Sequence, residues 1–162
     1  MDRMLAVATT VAAVGCGLVA GVLLAFSISV LPGLATLPVP DAIAAMQRFN
    51  KAIIDPVFLG LLFGTAGSCT LAAILAVSTG RGSPVLVVSG AVLYVLGCVA
   101  ITMTLNVPLN DALAGVDPGS AAGADEWQNF REKWTRWNNV RTVAATAACA
   151  VLILGQGRSA LG

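Results

Sequence analysis

Charged residues fall in clusters along this chain, and the apolar stretches between them set its architecture. Residues 4–40 carry no charged side chain, and the apolar run within them predicts a helix over about residues 4–31, ended by Pro32 and Gly33. A second uncharged stretch opens at Pro56, a residue suited to a first helical turn. It closes at Gly80-Arg81-Gly82-Ser83-Pro84, which predicts a span over about residues 56–79 and a tight polar turn after it. The third, over about residues 84–105, is expected to stop near Pro108. Each is long enough to supply the ~20 apolar residues that cross a bilayer. The last stretch is not. Only about 16 uncharged residues follow Arg141, so a fourth span must reach back to Trp137 and run over about residues 137–156, which draws Arg141 inside the membrane edge.

The fold class predicted is therefore all-α: a four-transmembrane-helix bundle in which residues 1–162 form a single integral membrane domain, expected in the cell (plasma) membrane. Composition agrees, since 57% hydrophobic against 10% charged residues is too apolar for one soluble core of this length. A net charge of +1 gives no basic field, which sets nucleic acid aside. The first span is expected to be retained rather than cleaved, being longer than the ~7–15 residues of a signal-peptide core. Its Gly17-Leu18-Val19-Ala20-Gly21, and the Gly60, Gly64, Ser68 spacing of the second span, suit close helix approach, although glycine is frequent in membrane helices anyway.

The two longer connections share one side of the membrane by parity. The first holds Asp41, Met46, Gln47, Arg48, Phe49, Asn50 and Lys51, a short amphipathic helix expected at the interface with Asp41 as its cap. The third begins with Asn106-Val107-Pro108-Leu109-Asn110, read as a sharp turn, passes Asp117-Pro118-Gly119-Ser120, and becomes a helical extension from about Asp125 into the fourth span. Arg48, Lys51, Arg131, Lys133, Arg136 and Arg141 on this side outnumber Arg3, Arg81 and Arg158 on the other, and counting alone puts both termini outside.

Along the extension Trp127, Phe130, Trp134, Trp137, Asn138 and Arg141 recur at spacings of three and four, one helical face. Each tryptophan taken singly also fits an interfacial aromatic belt. Arg141 is different, because an intramembrane arginine is costly unless it is paired or faces a wet cavity. Asn106 and Asn110 end the third span, and Asn50 and Asp55 precede the second, all at the same membrane face. They can converge on Arg141, or they can simply cap helix ends. The four cysteines, Cys16, Cys69, Cys98 and Cys149, fall one per span without a paired spacing and suit apolar packing, so no metal site is expected.

Asn106-Val107-Pro108-Leu109-Asn110 together with Trp134-Thr135-Arg136-Trp137-Asn138-Asn139-Val140-Arg141 resembles the paired signature of the anthrone oxygenase-like membrane proteins. The order of the rest agrees: Ser29-Val30-Leu31-Pro32-Gly33-Leu34 closing the first span, Met46-Gln47 with Asn50, and a second span opening at Pro56. The resemblance implies a cofactor-independent oxygenase that turns a flat polycyclic anthrone or hydroquinone into a quinone. Arg141, Asn106, Asn110 and Asn138 would stabilise an enolate oxygen, while Trp134, Trp137, Asn50 and Phe26 would hold the rings. The family's discussed histidine has no counterpart, as the chain contains none, which leaves Asp55, Asp111 or Glu132 as the candidate base. The partners implied are the bilayer, a flat aromatic molecule and molecular oxygen, with a homo-oligomer also open. The alternative is a non-catalytic membrane protein whose Trp, Arg and Lys residues bind lipid headgroups, a quinone or a partner protein.

Overall fold

The computed structural model describes residues 2–157. Its helices are α1 (Asp2–Ala25), α2 (Leu31–Leu34), α3 (Val39–Ala52), α4 (Pro56–Thr79), α5 (Pro84–Tyr94), α6 (Val107–Ala114) and α7 (Ala121–Gly157). Among the described residues, four helical stretches are long and apolar enough to cross a membrane: Arg3–Leu34, Pro56–Thr79, Pro84–Ala114 and Ala121–Gln156. The chain is a multi-pass, all-α membrane protein, with the second span and the long fourth helix where the apolar pattern puts them.

The first and third spans run further than their prolines predict, and both do so by the same device. A π-helical stretch over Phe26–Val30 precedes Pro32, and another over Thr102–Asn106 precedes Pro108. In each, one wide turn shifts the hydrogen-bond register: the Leu31 N–H reaches the Phe26 carbonyl, and the Val107 N–H reaches the Thr102 carbonyl. The proline then falls in the first turn of a new α-helical segment, where its missing N–H is not needed. Asn106 to Asn110 is thus helical, not a sharp turn.

Helix α7 packs against α1 and α5, α1 also packs against α4, and α4 against α5, closing a four-helix ring. The core of this ring includes Cys16, Val19, Leu62, Cys69, Tyr94, Cys98, Ala145, Ala148 and Leu152. The cysteines pack as small apolar side chains, with the buried Cys16 and Cys69 sulfurs 3.8 Å apart. The first and second spans approach at Gly15, where a methyl group would overlap the Thr65 hydroxyl. A methyl at Gly21, Gly60 or Gly64 would meet open space instead, so the glycine spacing noted above is not the contact.

A second apolar cluster forms at the end carrying the first and third connections. Ala42, Ile43 and Met46 of α3 pack with Leu31, Leu34, Leu113 and the α7 side chains Trp127, Phe130 and Trp134. The buried face of α3 thus rests on protein. The helix begins at Val39 after Pro38, which provides no side-chain cap, and Asp41 sits in its first turn, where a carboxylate favours the helix dipole. The opposite end turns at Gly80 and Gly82, both with positive φ, and Arg158 lies outside the described residues.

Candidate functional site

The spacing of three and four along α7 places Trp127, Phe130, Trp134, Asn138 and Arg141 on its buried face. The rings continue one another: Trp127 to Phe130 and Phe130 to Trp134 each stack at 5.8 Å between centroids. Phe26 meets the Trp134 ring at 5.8 Å and Phe49 edge-on at 6.2 Å. Trp137 turns away from this column. It is half-buried, with the Arg136 guanidinium 5.5 Å from its ring centre.

Arg141 is only 5% exposed, and its guanidinium is held on three sides. Nη1 donates to the Thr102 hydroxyl at 3.0 Å, Nη2 donates to Asn138 Oδ1 at 2.8 Å, and the group lies 5.5 Å from the Trp134 ring centre. Among the described residues no carboxylate pairs with it, and Nε has no partner. Such an arrangement leaves one donor of a buried cation unmatched, which is costly in an apolar setting unless something else accepts from it.

The amides hold the surrounding helices in register. The Asn138 amide donates to the Leu23 carbonyl and the Ser27 hydroxyl, both at 2.7 Å, and ties α7 to the start of the first π-helical stretch. The Asn106 amide donates to the Trp134 carbonyl at 3.3 Å, while its buried Oδ1 has no partner. The Trp134 indole donates to Asn110 Oδ1 at 2.8 Å. Gln47 of α3 donates to the Leu113 and Val116 carbonyls at 2.9 and 3.1 Å, which fixes α3 over the end of the third span.

These elements line a cavity of about 360 Å³. The first span contributes Val22, Leu23 and Phe26; the α3 end contributes Gln47, Asn50 and Lys51; and Ile53 and Ile54 lead into α4. From α4 come Phe58, Leu59, Leu62 and Phe63, from the third span Thr102, Met103, Val107, Asn110, Asp111 and Ala114, and from α7 Trp134 and Arg141. The lining is mostly apolar with a few polar groups, the usual make-up of a small-molecule site. One of them, the buried Asn50 Nδ2, has no hydrogen-bond partner.

Of the residues singled out in the sequence, Arg141, Trp134, Asn110, Asn50, Phe26 and Asp111 share this lining. Asn106 and Asn138 lie behind it, where their bonds position Trp134 and Arg141. Asp55 does not reach the cavity: its Oδ1 accepts from the Val57 and Phe58 N–H groups at 2.6 and 3.0 Å and caps α4. Glu132 is exposed in a separate open groove that also holds Arg131 and Arg136. Thr102 and Ser27 were not singled out, yet they hold Arg141 and Asn138. The available signal is a hydroxyl residue five or six positions before a proline in an otherwise apolar stretch.

Comparison with known proteins follows the same residues. The profile of the family described as anthrone oxygenase matches residues 56–151, and no curated protein and no solved structure matches the chain. The matched region takes in α4, the whole third span with Asn106 and Asn110, and α7 through Trp134, Asn138 and Arg141. Matched over more than half of its length, through the second, third and fourth spans that contribute to the cavity, the chain belongs to the anthrone oxygenase family.

Proposed function

We propose that the cavity binds a flat polycyclic phenol or ketone of the anthrone or hydroquinone type and promotes its oxidation by dioxygen to a quinone without a resident cofactor, an anthrone gaining an oxygen atom in the process. One observation carries this reading. A mostly apolar cavity of about 360 Å³ is lined by a buried arginine that, among the described residues, no carboxylate neutralises, and by the aromatic rings of Phe26 and Trp134. A ring system with one oxygen substituent suits both features, its rings against Phe26 and Trp134 and its oxygen turned toward the positive charge of Arg141.

The chemistry asked of the protein is small. An anthrone carries an acidic methylene opposite its carbonyl. Removing that proton gives an enolate whose negative charge the Arg141 guanidinium stabilises as a preorganised cation. Asp111, the carboxylate in the lining, is the base assigned to this step. Dioxygen takes electrons from the carbanionic carbon and forms a peroxide there. Loss of water then leaves the second carbonyl, so one anthrone and one dioxygen become one anthraquinone and one water. The electrons come from the substrate, and the balance closes without another reductant. The apolar rings and dioxygen both partition into lipid, which suits a site in a cell membrane.

The test is oxygen consumption and quinone absorbance with purified protein and anthrone, compared with Arg141→Ala and Asn106→Ala. One dioxygen consumed per quinone formed, with the rate lost in Arg141→Ala, supports the reading. Rates unchanged in both variants overturn it. Tight binding of anthraquinone without oxygen uptake from anthrone assigns the cavity to binding alone.

A further inference from the structure

The second and third spans do not stay together along their length. They pack where α4 meets α5, but α6, the far end of the third span, packs against α7 and α3 rather than α4. The π-helical stretches over Val95–Ala100 and Thr102–Asn106 lie in between, and π turns re-aim a helix where they occur. The cavity occupies the resulting gap.

Three of its lining residues are large, apolar and about half exposed or more: Ile54 ahead of α4, and one residue on each of the diverging spans. Phe63 is 47% exposed and Met103 is 50% exposed, one on each of the diverging spans. Phe63 lies eight residues beyond the Asp55 cap, and Met103 eight before Asp111, which places both about 12 Å along their helices from those carboxylates. The exposed acids belong at the aqueous edge; Phe63 and Met103 therefore lie within the apolar slab. Met103 also directly follows Thr102, the residue that holds Arg141. The gap thus stands level with the guanidinium.

We infer that the cavity opens sideways into the bilayer between the second and third spans, with Phe63 and Met103 as the lips of the opening. A flat apolar ligand reaches Arg141 from lipid, and these two side chains set the width it must pass. The ligand class rests on the reading of the cavity given above; the opening rests on the divergence of the helices.

The experiment places nitroxide labels at Phe63→Cys, Met103→Cys and Lys51→Cys, each in a Cys149→Ala background, in phosphatidylcholine vesicles. Collision of each label with dioxygen, which concentrates in lipid, is compared with collision with a nickel chelate, which stays in water. Dioxygen contact with nickel exclusion at positions 63 and 103, and the reverse at position 51, is the expected pattern. Nickel contact at position 103 equal to that at position 51 overturns the lateral opening. Anthraquinone added to the lipid is expected to slow the label at position 103 and reduce its dioxygen collisions. A lipid-facing pattern that does not respond to anthraquinone upholds the opening and counts against the ligand class. As a kinetic readout, Met103→Trp is expected to lower kcat/KM for a lipid-dissolved anthrone by about fivefold with kcat nearly unchanged. Equal kcat/KM in Met103→Trp and the unsubstituted protein overturns the role of Met103 as a lip.

Discussion

Replacing Arg141 with methionine separates a functional arginine from a structural one. Methionine fills much of the same volume, and the change removes a charge whose insertion into the apolar slab costs about 2.5–3.5 kcal/mol. Against that relief stand two losses. Asn138 Oδ1, which accepts from Arg141 at 2.8 Å, becomes an unsatisfied buried acceptor at a cost of about 1–3 kcal/mol. The contact with the Trp134 ring at 5.5 Å disappears as well, worth about 1–2 kcal/mol when desolvated. Thr102 is left in order, since its hydroxyl still donates to the Cys98 carbonyl at 2.7 Å. The opposing effects nearly cancel, and Arg141→Met is expected to change folding stability by no more than about 2 kcal/mol, a melting shift below about 8 °C.

The effect on chemistry is far larger. Loss of a donor aimed at a developing oxyanion lowers rates by about 10²–10³. The assay is an oxygen electrode trace with anthrone, normalised to the folded fraction from a melting curve of the same preparation. A near-normal melting temperature with oxygen uptake reduced at least a hundredfold (about 2.7 kcal/mol) is the expected result. Uptake per folded molecule within a few-fold of the unsubstituted protein refutes the assignment of Arg141 to the site, whatever happens to stability.

Four further substitutions test neighbouring features. Trp134→Phe keeps the ring against Phe26 but removes the 2.8 Å bond to Asn110; a stability loss of about 1 kcal/mol and several-fold weaker anthraquinone binding are expected by thermal melting and titration. Unchanged binding there makes the indole N–H irrelevant to the site. Asp55→Ala removes the cap of α4 and is expected to cost about 1 kcal/mol with oxygen uptake per folded molecule unaltered, whereas lost uptake in a stable protein makes Asp55 a participant. Gly15→Ala forces a methyl group against the Thr65 hydroxyl and is expected to cost about 1–3 kcal/mol by melting temperature. Gly21→Ala, which meets open space, is expected to be neutral, and equal effects of the two changes contradict the close approach at Gly15.

The sequence by itself determined the number of helices long and apolar enough to span a membrane, the course of the second, and the helical face that carries Arg141. Those follow from local quantities: the length of an uncharged run against the thickness of a bilayer, and the 3.6-residue period that sets Trp134, Asn138 and Arg141 on one face. The same period put Trp137 nominally with them, and the tertiary structure decided otherwise. In the bundle the buried stripe of α7 follows Trp127, Phe130, Trp134, Asn138 and Arg141, and leaves Trp137 at its margin under Arg136. Two acids that look equivalent in sequence separate for a similar reason. Asp55 spends its carboxylate on the N–H groups opening α4, while Asp111 falls on the cavity side of the third span.

The continuation of two helices past Pro32 and Pro108 was likewise beyond the sequence. Local chemistry predicts a break at a proline, but π turns ahead of each shift the backbone register, and Asn138 and Arg141 of the distant α7 bond to Leu23, Ser27 and Thr102 around those turns. The cavity is the most tertiary feature of all. It exists because the second and third spans part company beyond the π turns. No property of a single helix encodes the space between two that diverge.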